Sequence, residues 1–289
     1  MGVLFKSQSG LVPDYYAQKN QAEEAVGHRL TNEEFERDYL NVGGGSALID
    51  TGTSVFDPCL CEMDYAWFTR EGDSILDPFA GGSVRGVVAS VMGRRYTGIE
   101  LRPEQVAANV EQGAAICDEQ PRWICGDSID MDVHVGDEMF DHVFTCPPYG
   151  DLEVYSKDER DISNMSAEKF DAVYAEIIAL AASHLKDNRF ATIVVGNYRD
   201  RDGLLRDLSG KTVAAAEAAG MRYYNDLVLV TAVGSLAVRV GKQFSASRKV
   251  GRTHQYVLNF VKGDPRKAAE RLGNVLIPDL GDVEDGLGD

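Results

Sequence analysis

The sequence predicts an α/β fold in which helices wind on both faces of a mostly parallel sheet. Three observations predict it. Short apolar runs alternate with segments of helical period from Ser74 onward. The first run leads straight into a glycine-rich turn, the junction at which such sheets hold ligands. Two β-rich runs then close the pattern with no helical period between them, which predicts an antiparallel hairpin.

Residues 1–55 are polar and weakly periodic, with the run Gly43-Gly44-Gly45-Ser46, and read as an N-terminal extension. Residues 56–264 form the predicted catalytic domain. Ser74 to Asp77 is a first strand, Val84 to Met92 a helix and Arg95 to Glu100 a second strand. Pro103 marks a helix start over Glu104 to Cys117. Strands follow at Trp123 to Cys125 and Phe140 to Thr145, then a helix over Ala167 to Leu185 with Ser166 as its N-cap. Phe190 to Val195 is a fifth strand, and Leu204 to Ala219 a helix stopped by Gly220. The closing strands are Tyr223 to Thr231 and Gln255 to Lys262. Residues 265–289 hold one short helix, Pro265 to Leu272, and an acidic tail.

Composition narrows the class. Of 289 residues 44% are hydrophobic and 26% charged, as in ordinary globular proteins. No apolar run nears the roughly 20 residues of a membrane span, and Met1 to Gly10 lacks the apolar core of a secretory signal. Five cysteines (Cys59, Cys61, Cys117, Cys125, Cys146) show neither a CxxC pair nor metal spacing, so reduced thiols, no metal site and a cytoplasmic setting are expected. The formal net charge is −17. Acids load both ends, but Arg239, Lys242, Arg248, Lys249 and Arg252 stand together with no acid among them. Such an island is expected to guide a polyanion by contacting phosphates.

Asp77-Pro78-Phe79-Ala80-Gly81-Gly82-Ser83 follows the first strand. Glycines there let backbone amides approach a ligand closely. Glu100, ending the second strand, suits ribose hydroxyls; Asp127, after the third, suits an adenine amino group; Asp77 could face the cationic end of a cofactor. Thr145-Cys146-Pro147-Pro148-Tyr149 follows the fourth strand, where two prolines fix a rigid turn and Tyr149 offers a ring for a base lifted from its helix. Asp151 and Glu153 are candidates to contact the ring edge or move a proton. His134, His142 and His184 are scattered and read as structural or surface residues.

Asp77-Pro78-Phe79-Ala80-Gly81-Gly82 resembles the DPFxGxG cofactor motif of the DNA amino-methyltransferases, and Cys146-Pro147-Pro148-Tyr149 resembles their (D/N/S)PPY catalytic motif. Phe56 to Trp67 looks like the helix preceding their cofactor strand, and Lys249 to Lys262 is similar to their final strand, so the resemblance covers roughly residues 56 to 264. It implies a seven-stranded Rossmann-like class I methyltransferase fold, S-adenosylmethionine (AdoMet) as donor, and duplex DNA with a flipped base as substrate. Cys146 departs from the motif. A thiol is a poor acceptor for an exocyclic amine, but a thiolate is the nucleophile that cytosine C5 methylation requires. The expectation is therefore a DNA cytosine methyltransferase, with C5 and N4 products held nearly even. N6-adenine methylation, RNA methylation and a non-catalytic nucleic-acid-binding partner are the alternatives. No segment is long enough for a separate target-recognition domain, which predicts a short or relaxed sequence preference, or recognition supplied by a partner. A role in restriction–modification or phage DNA protection is a family-level expectation.

Overall fold

The computed structural model describes residues 56–150, 156, 158–200, 202–230 and 236–274. The N-terminal extension, the acidic tail, and Asp151 and Glu153 lie outside the described residues.

Helix α1 (Pro58–Phe68) opens the described chain. Pro58 suits the first turn, and the Asp57 carboxylate caps the Cys59 N–H at 2.9 Å. Strand β1 (Ser74–Asp77), helix α2 (Val84–Val91), strand β2 (Arg95–Glu100) and helix α3 (Pro103–Ile116) follow. Then come β3 (Arg122–Cys125), a short 3₁₀ turn (Ser128–Asp130), α4 (Met131–Val135) and β4 (Phe140–Thr145). After a second 3₁₀ turn (Ile162–Asn164) lie α5 (Ala167–His184) and β5 (Leu185–Val195). A two-stranded ribbon of β6 (Tyr198–Arg199) and β7 (Leu205–Arg206) precedes α6 (Leu208–Ala218). The chain continues through β8 (Arg222–Val230), α7 (Leu236–Ser247), β9 (His254–Lys262) and α8 (Pro265–Leu272).

Seven strands form one sheet in the order β3-β2-β1-β4-β5-β9-β8. The first five are parallel, and β9 runs antiparallel to both β5 and β8. This is a Rossmann-like, mostly parallel α/β sheet with one antiparallel strand. Alternation along the strands fills two cores. Ile75 and Phe144 meet Tyr65, Val87 and Val88 of α1 and α2 on one face. Leu76 and Val143 meet Tyr174, Ile177 and Ala216 of α5 and α6 on the other.

Two elements depart from the sequence expectation. The expected antiparallel pairing of β8 and β9 is present, but α7 lies between them and carries Arg239 and Lys242, with Arg248, Lys249 and Arg252 in the segment that follows. Leu236, Val240 and Phe244 recur every four residues, a helical period that the charge pattern obscures. The expected helix over Leu204 to Ala219 starts later, because Leu205 and Arg206 pair with β6. The Asp207 side chain then accepts from the Gly210 N–H at 3.0 Å and sets the helix start.

The histidines are structural, as expected, and two of them meet acids that the sequence does not place nearby. Buried His142 (β4) bonds Asp64 (α1) at 2.7 Å and the Phe190 carbonyl at 2.8 Å. His184 (α5) bonds Asp132 (α4) at 2.8 Å. Both therefore meet acids distant in sequence, as fasteners between elements. Helix α8 is likewise part of the domain: Ala268 packs on Phe190 and Val261, and Arg271 pairs with Asp73. Among the described residues no helix is long and apolar enough to cross a membrane.

Candidate active site

The parallel order β3-β2-β1-β4 brings the carboxyl ends of four strands to one edge. Asp127, Glu100, Asp77 and Cys146 thus stand at or just beyond successive strand ends.

The turn after β1 is fastened on every side. The Ala80 N–H donates to the Ile99 carbonyl at 3.0 Å, and the Ser128 hydroxyl donates to the Pro78 carbonyl. Gly81 has φ +52°, a conformation open to glycine at little cost, and its N–H donates to Glu100 Oε2 at 2.9 Å. Its carbonyl accepts from buried Asn109 at 2.7 Å. Ser83 precedes α2 and donates to Gln112 of α3. A Cβ on Gly82 would meet no atom within 4 Å, so open space borders the turn there. Gly98 beneath it is under the opposite constraint: a Cβ would lie 2.7 Å from the Tyr96 hydroxyl and 2.8 Å from Ala80 Cβ.

The structure does not turn Asp77 toward a ligand. Its fully buried carboxylate accepts from four donors: the Phe79 N–H (3.1 Å), the Thr145 hydroxyl (2.6 Å), Arg85 Nε (2.6 Å) and the Tyr96 hydroxyl (2.7 Å). A carboxylate offers about four acceptor positions, and all are taken. Asp77 joins the glycine turn to the end of β4 and neutralises the buried Arg85. Burial alone would lower the Arg85 pKa, but Asp77, Tyr96 and Cys146 beside it hold it above the ordinary value. Arg85 also donates to the Phe79 and Ala80 carbonyls, so it is a pillar of the turn that the sequence reading missed.

Glu100 keeps more freedom. Each oxygen accepts one backbone N–H, from Gly81 and from Arg102 (3.0 Å); the Arg102 side chain also pairs with Oε1 at 3.4 Å, which leaves Oε2 with the clearer acceptor capacity. Half-buried Asp127 uses one oxygen to cap the 3₁₀ turn through the Ile129 N–H at 3.1 Å.

Pro147 is buried, and Cys146, Pro148 and Tyr149 are half-buried. The Tyr149 hydroxyl lies 3.6 Å from the Cys146 sulfur and accepts from Gln255 Nε2 of β9 at 2.8 Å. A Cβ at Gly196 would come within 3.2 Å of the Tyr149 ring, so glycine at the end of β5 leaves room for it. Gln255 was invisible in the sequence as a site residue; its only mark was its place in the closing strand. Of the basic island, Arg248 and Arg252 are exposed and Lys249 is half-buried. The Arg248 guanidinium stacks over Phe244 at 5.1 Å. The side chains of Arg239 and Lys242 lie outside the described residues.

No protein-family model matches the chain. The Type II methyltransferase M.Cfr9I of Citrobacter freundii is 43% identical over 63 residues, 21% of this chain and 19% of the relative. The tRNA (guanine(10)-N2)-dimethyltransferase of Methanothermobacter thermautotrophicus is 29% identical over 167 residues, 57% of this chain and 44% of the relative. The chain thus spans less than half the length of these curated relatives. Among solved structures, the [4+2]-cyclase SpnF superposes with a TM-score of 0.51 at 15% identity, over 71% of this chain and 80% of that one, a likeness of fold.

Proposed function

We propose that the chain is an AdoMet-dependent methyltransferase acting on a base of nucleic acid, with cytosine in DNA as the favoured target. One observation carries the reading: a Cys-Pro-Pro-Tyr turn at the end of β4 is tied through Thr145 and Asp77 to a glycine turn at the end of the adjacent β1. The DPFxGxG and PPY resemblance of those turns supports DNA, as does the short match to M.Cfr9I.

The residues fit AdoMet. Open space borders Gly82, the Glu100 carboxylate suits ribose hydroxyls, with Oε2 the less occupied oxygen, and Asp127 suits the adenine amino group. Asp77, Pro78, Phe79, Ala80 and Ser83 shape that cradle. AdoMet, when bound, supplies an electrophilic methyl group on a sulfonium, with a neutral thioether as leaving group. The protein's part is alignment. Pro147 and Pro148 fix the turn, and Tyr149 offers a wall for the flipped base.

For C5 methylation the Cys146 thiolate adds to C6, forming an S–C6 bond and making C5 nucleophilic toward the methyl group. The C5 proton then leaves to a base, a role open to Asp151 or Glu153, and the S–C6 bond breaks to restore the ring and thiolate. For N4 methylation Cys146 instead faces the exocyclic amine, whose nitrogen attacks the methyl. Arg239, Lys242, Arg248, Lys249 and Arg252 hold phosphates in either case.

The test is nucleoside mass spectrometry of plasmid DNA from cells expressing wild type or Cys146→Ser. 5-Methylcytosine that vanishes in the variant is the expected outcome for the nucleophile. N4-methylcytosine or N6-methyladenine that persists in it would sink the covalent step. A second reading, base methylation in RNA, draws support from the longer match to the tRNA dimethyltransferase. Transfer to structured RNA but not to duplex DNA would establish it.

A further inference from the structure

We propose that Gln255 is a positioning residue whose amide fixes the Tyr149 hydroxyl as a hydrogen-bond donor to the sulfur of Cys146. This rests on reading the 146–149 turn as the reactive loop, and it assigns a role to a strand far away in sequence. The bookkeeping is short. A phenol carries one hydrogen and accepts through its oxygen. The Gln255 Nε2–H donates to that oxygen at 2.8 Å, which directs the phenol hydrogen elsewhere. The Cys146 sulfur lies 3.6 Å from the same oxygen, within reach of a hydrogen bond to sulfur. The proposed relay runs from amide to phenol to sulfur, the direction in which the phenol serves a thiolate.

The backbone supports this geometry. β9 pairs with β5 as far as Val195 and Tyr256, which sets Gln255 beside Gly196. Gly196 lacks the Cβ that would press on the Tyr149 ring. A polymer of ordinary side chains would hold the ring off; here it lies where both neighbours reach its hydroxyl.

A donor aimed at sulfur favours the thiolate, the form that attacks carbon. Arg85 of α2, already paired with Asp77, and Tyr174 of α5 also interact electrostatically with Cys146. Neither changes when Gln255 is replaced, and the Tyr149→Phe background isolates what passes through the phenol.

The experiment follows alkylation of Cys146 by iodoacetamide in the full chain, by peptide mass spectrometry, from neutral to alkaline pH. No cofactor or nucleic acid is present. Gln255→Leu should slow alkylation at neutral pH by about three- to tenfold and move its midpoint upward, the scale of one ordinary hydrogen bond acting through the phenol. Gln255→Glu keeps the shape but offers only acceptors, so it should slow alkylation at least as much. In a Tyr149→Phe background Gln255→Leu should add nothing, because the relay is already cut. A Gln255→Leu profile equal to wild type, or an undiminished effect in Tyr149→Phe, overturns the proposal. Thermal melting of each variant confirms that the comparison is between folded proteins. A chain with the expected profiles but no methyl transfer would sink the proposed activity and leave the relay standing.

Discussion

At the scale of single residues the site is organised by a charge that faces inward. Asp77 heads the motif resembling DPFxGxG, yet its four acceptor positions are spent on Phe79, Thr145, Arg85 and Tyr96. Arg85 in turn is buried and reaches two carbonyls of the glycine turn. Breaking such a pair leaves a charge without its partner, which costs more than the pair contributes net. Asp77→Asn also sets an amide N–H₂ or a lone acceptor against two firm donors. It should therefore destabilise the fold by about 3–5 kcal/mol in urea titration. Arg85→Met in the same chain should recover part of that loss by removing the orphaned charge. A loss under about 1 kcal/mol for Asp77→Asn alone would show that the pair is dispensable. Glycines at 98 and 126 are the complementary constraint. A Cβ at Gly126 would come within 2.2 Å of the His134 ring, so a side chain there would have to displace that ring, whereas one at Gly98, inside β2, meets Tyr96 and Ala80.

Among the elements, the edge opposite the site is held by a cluster centred on Asp141 of β4. It accepts from Ser74 of β1, from Lys186 and Arg189 of β5, and faces Arg271 of α8. Burial alone would raise its pKa, but the bonds from Lys186, Ser74 and Arg189 overcome it and hold the carboxyl at about 2. The depressed value fixes the sign. Asp141 adds stability above the ordinary carboxylate range, and that contribution is lost as pH falls through about 2. Acid titration should show wild type losing stability across this window, and Asp141→Asn should be less stable at neutral pH with a shallower acid slope. Equal slopes would remove Asp141 from the acid response. Local pattern made most of this layer legible. Strands β1, β2 and β4, the start of α3 and all of α8 follow from apolar runs, Pro103 and Pro265. The glycine turn and the Pro-Pro-Tyr turn were likewise visible, because each is a contiguous run with a chemical reason for its residues. What stayed hidden joins distant positions: Asp64 with His142, Asp77 with Thr145, Gln255 with Tyr149. Nothing in the local sequence marks Arg85 as buried, and the four-residue apolar period of α7 is short and interspersed with Arg239 and Lys242.

The whole molecule poses an electrostatic problem, since a net charge of −17 opposes any approach to a polyanion. The proposed solution is local. Helix α7 and the segment leading into β9 carry five cations uninterrupted by acid, beside an exposed Phe244 stacked by Arg248. Phosphate contacts release condensed counterions, so affinity should fall with salt in proportion to the contacts made. If all five cations engage a duplex, the log–log slope should be about −4.5, from −0.9 per phosphate. Replacing Arg248 and Lys249 by Ala should flatten the slope by about two and weaken binding evenly across sequences, because phosphate contacts carry no base information. Fluorescence anisotropy over a salt series measures both. A slope that two alanines leave unchanged would move the nucleic-acid face elsewhere on the molecule. A wild-type slope near zero would mean that the acidic surface prevails, and that this chain needs a basic partner to reach its substrate.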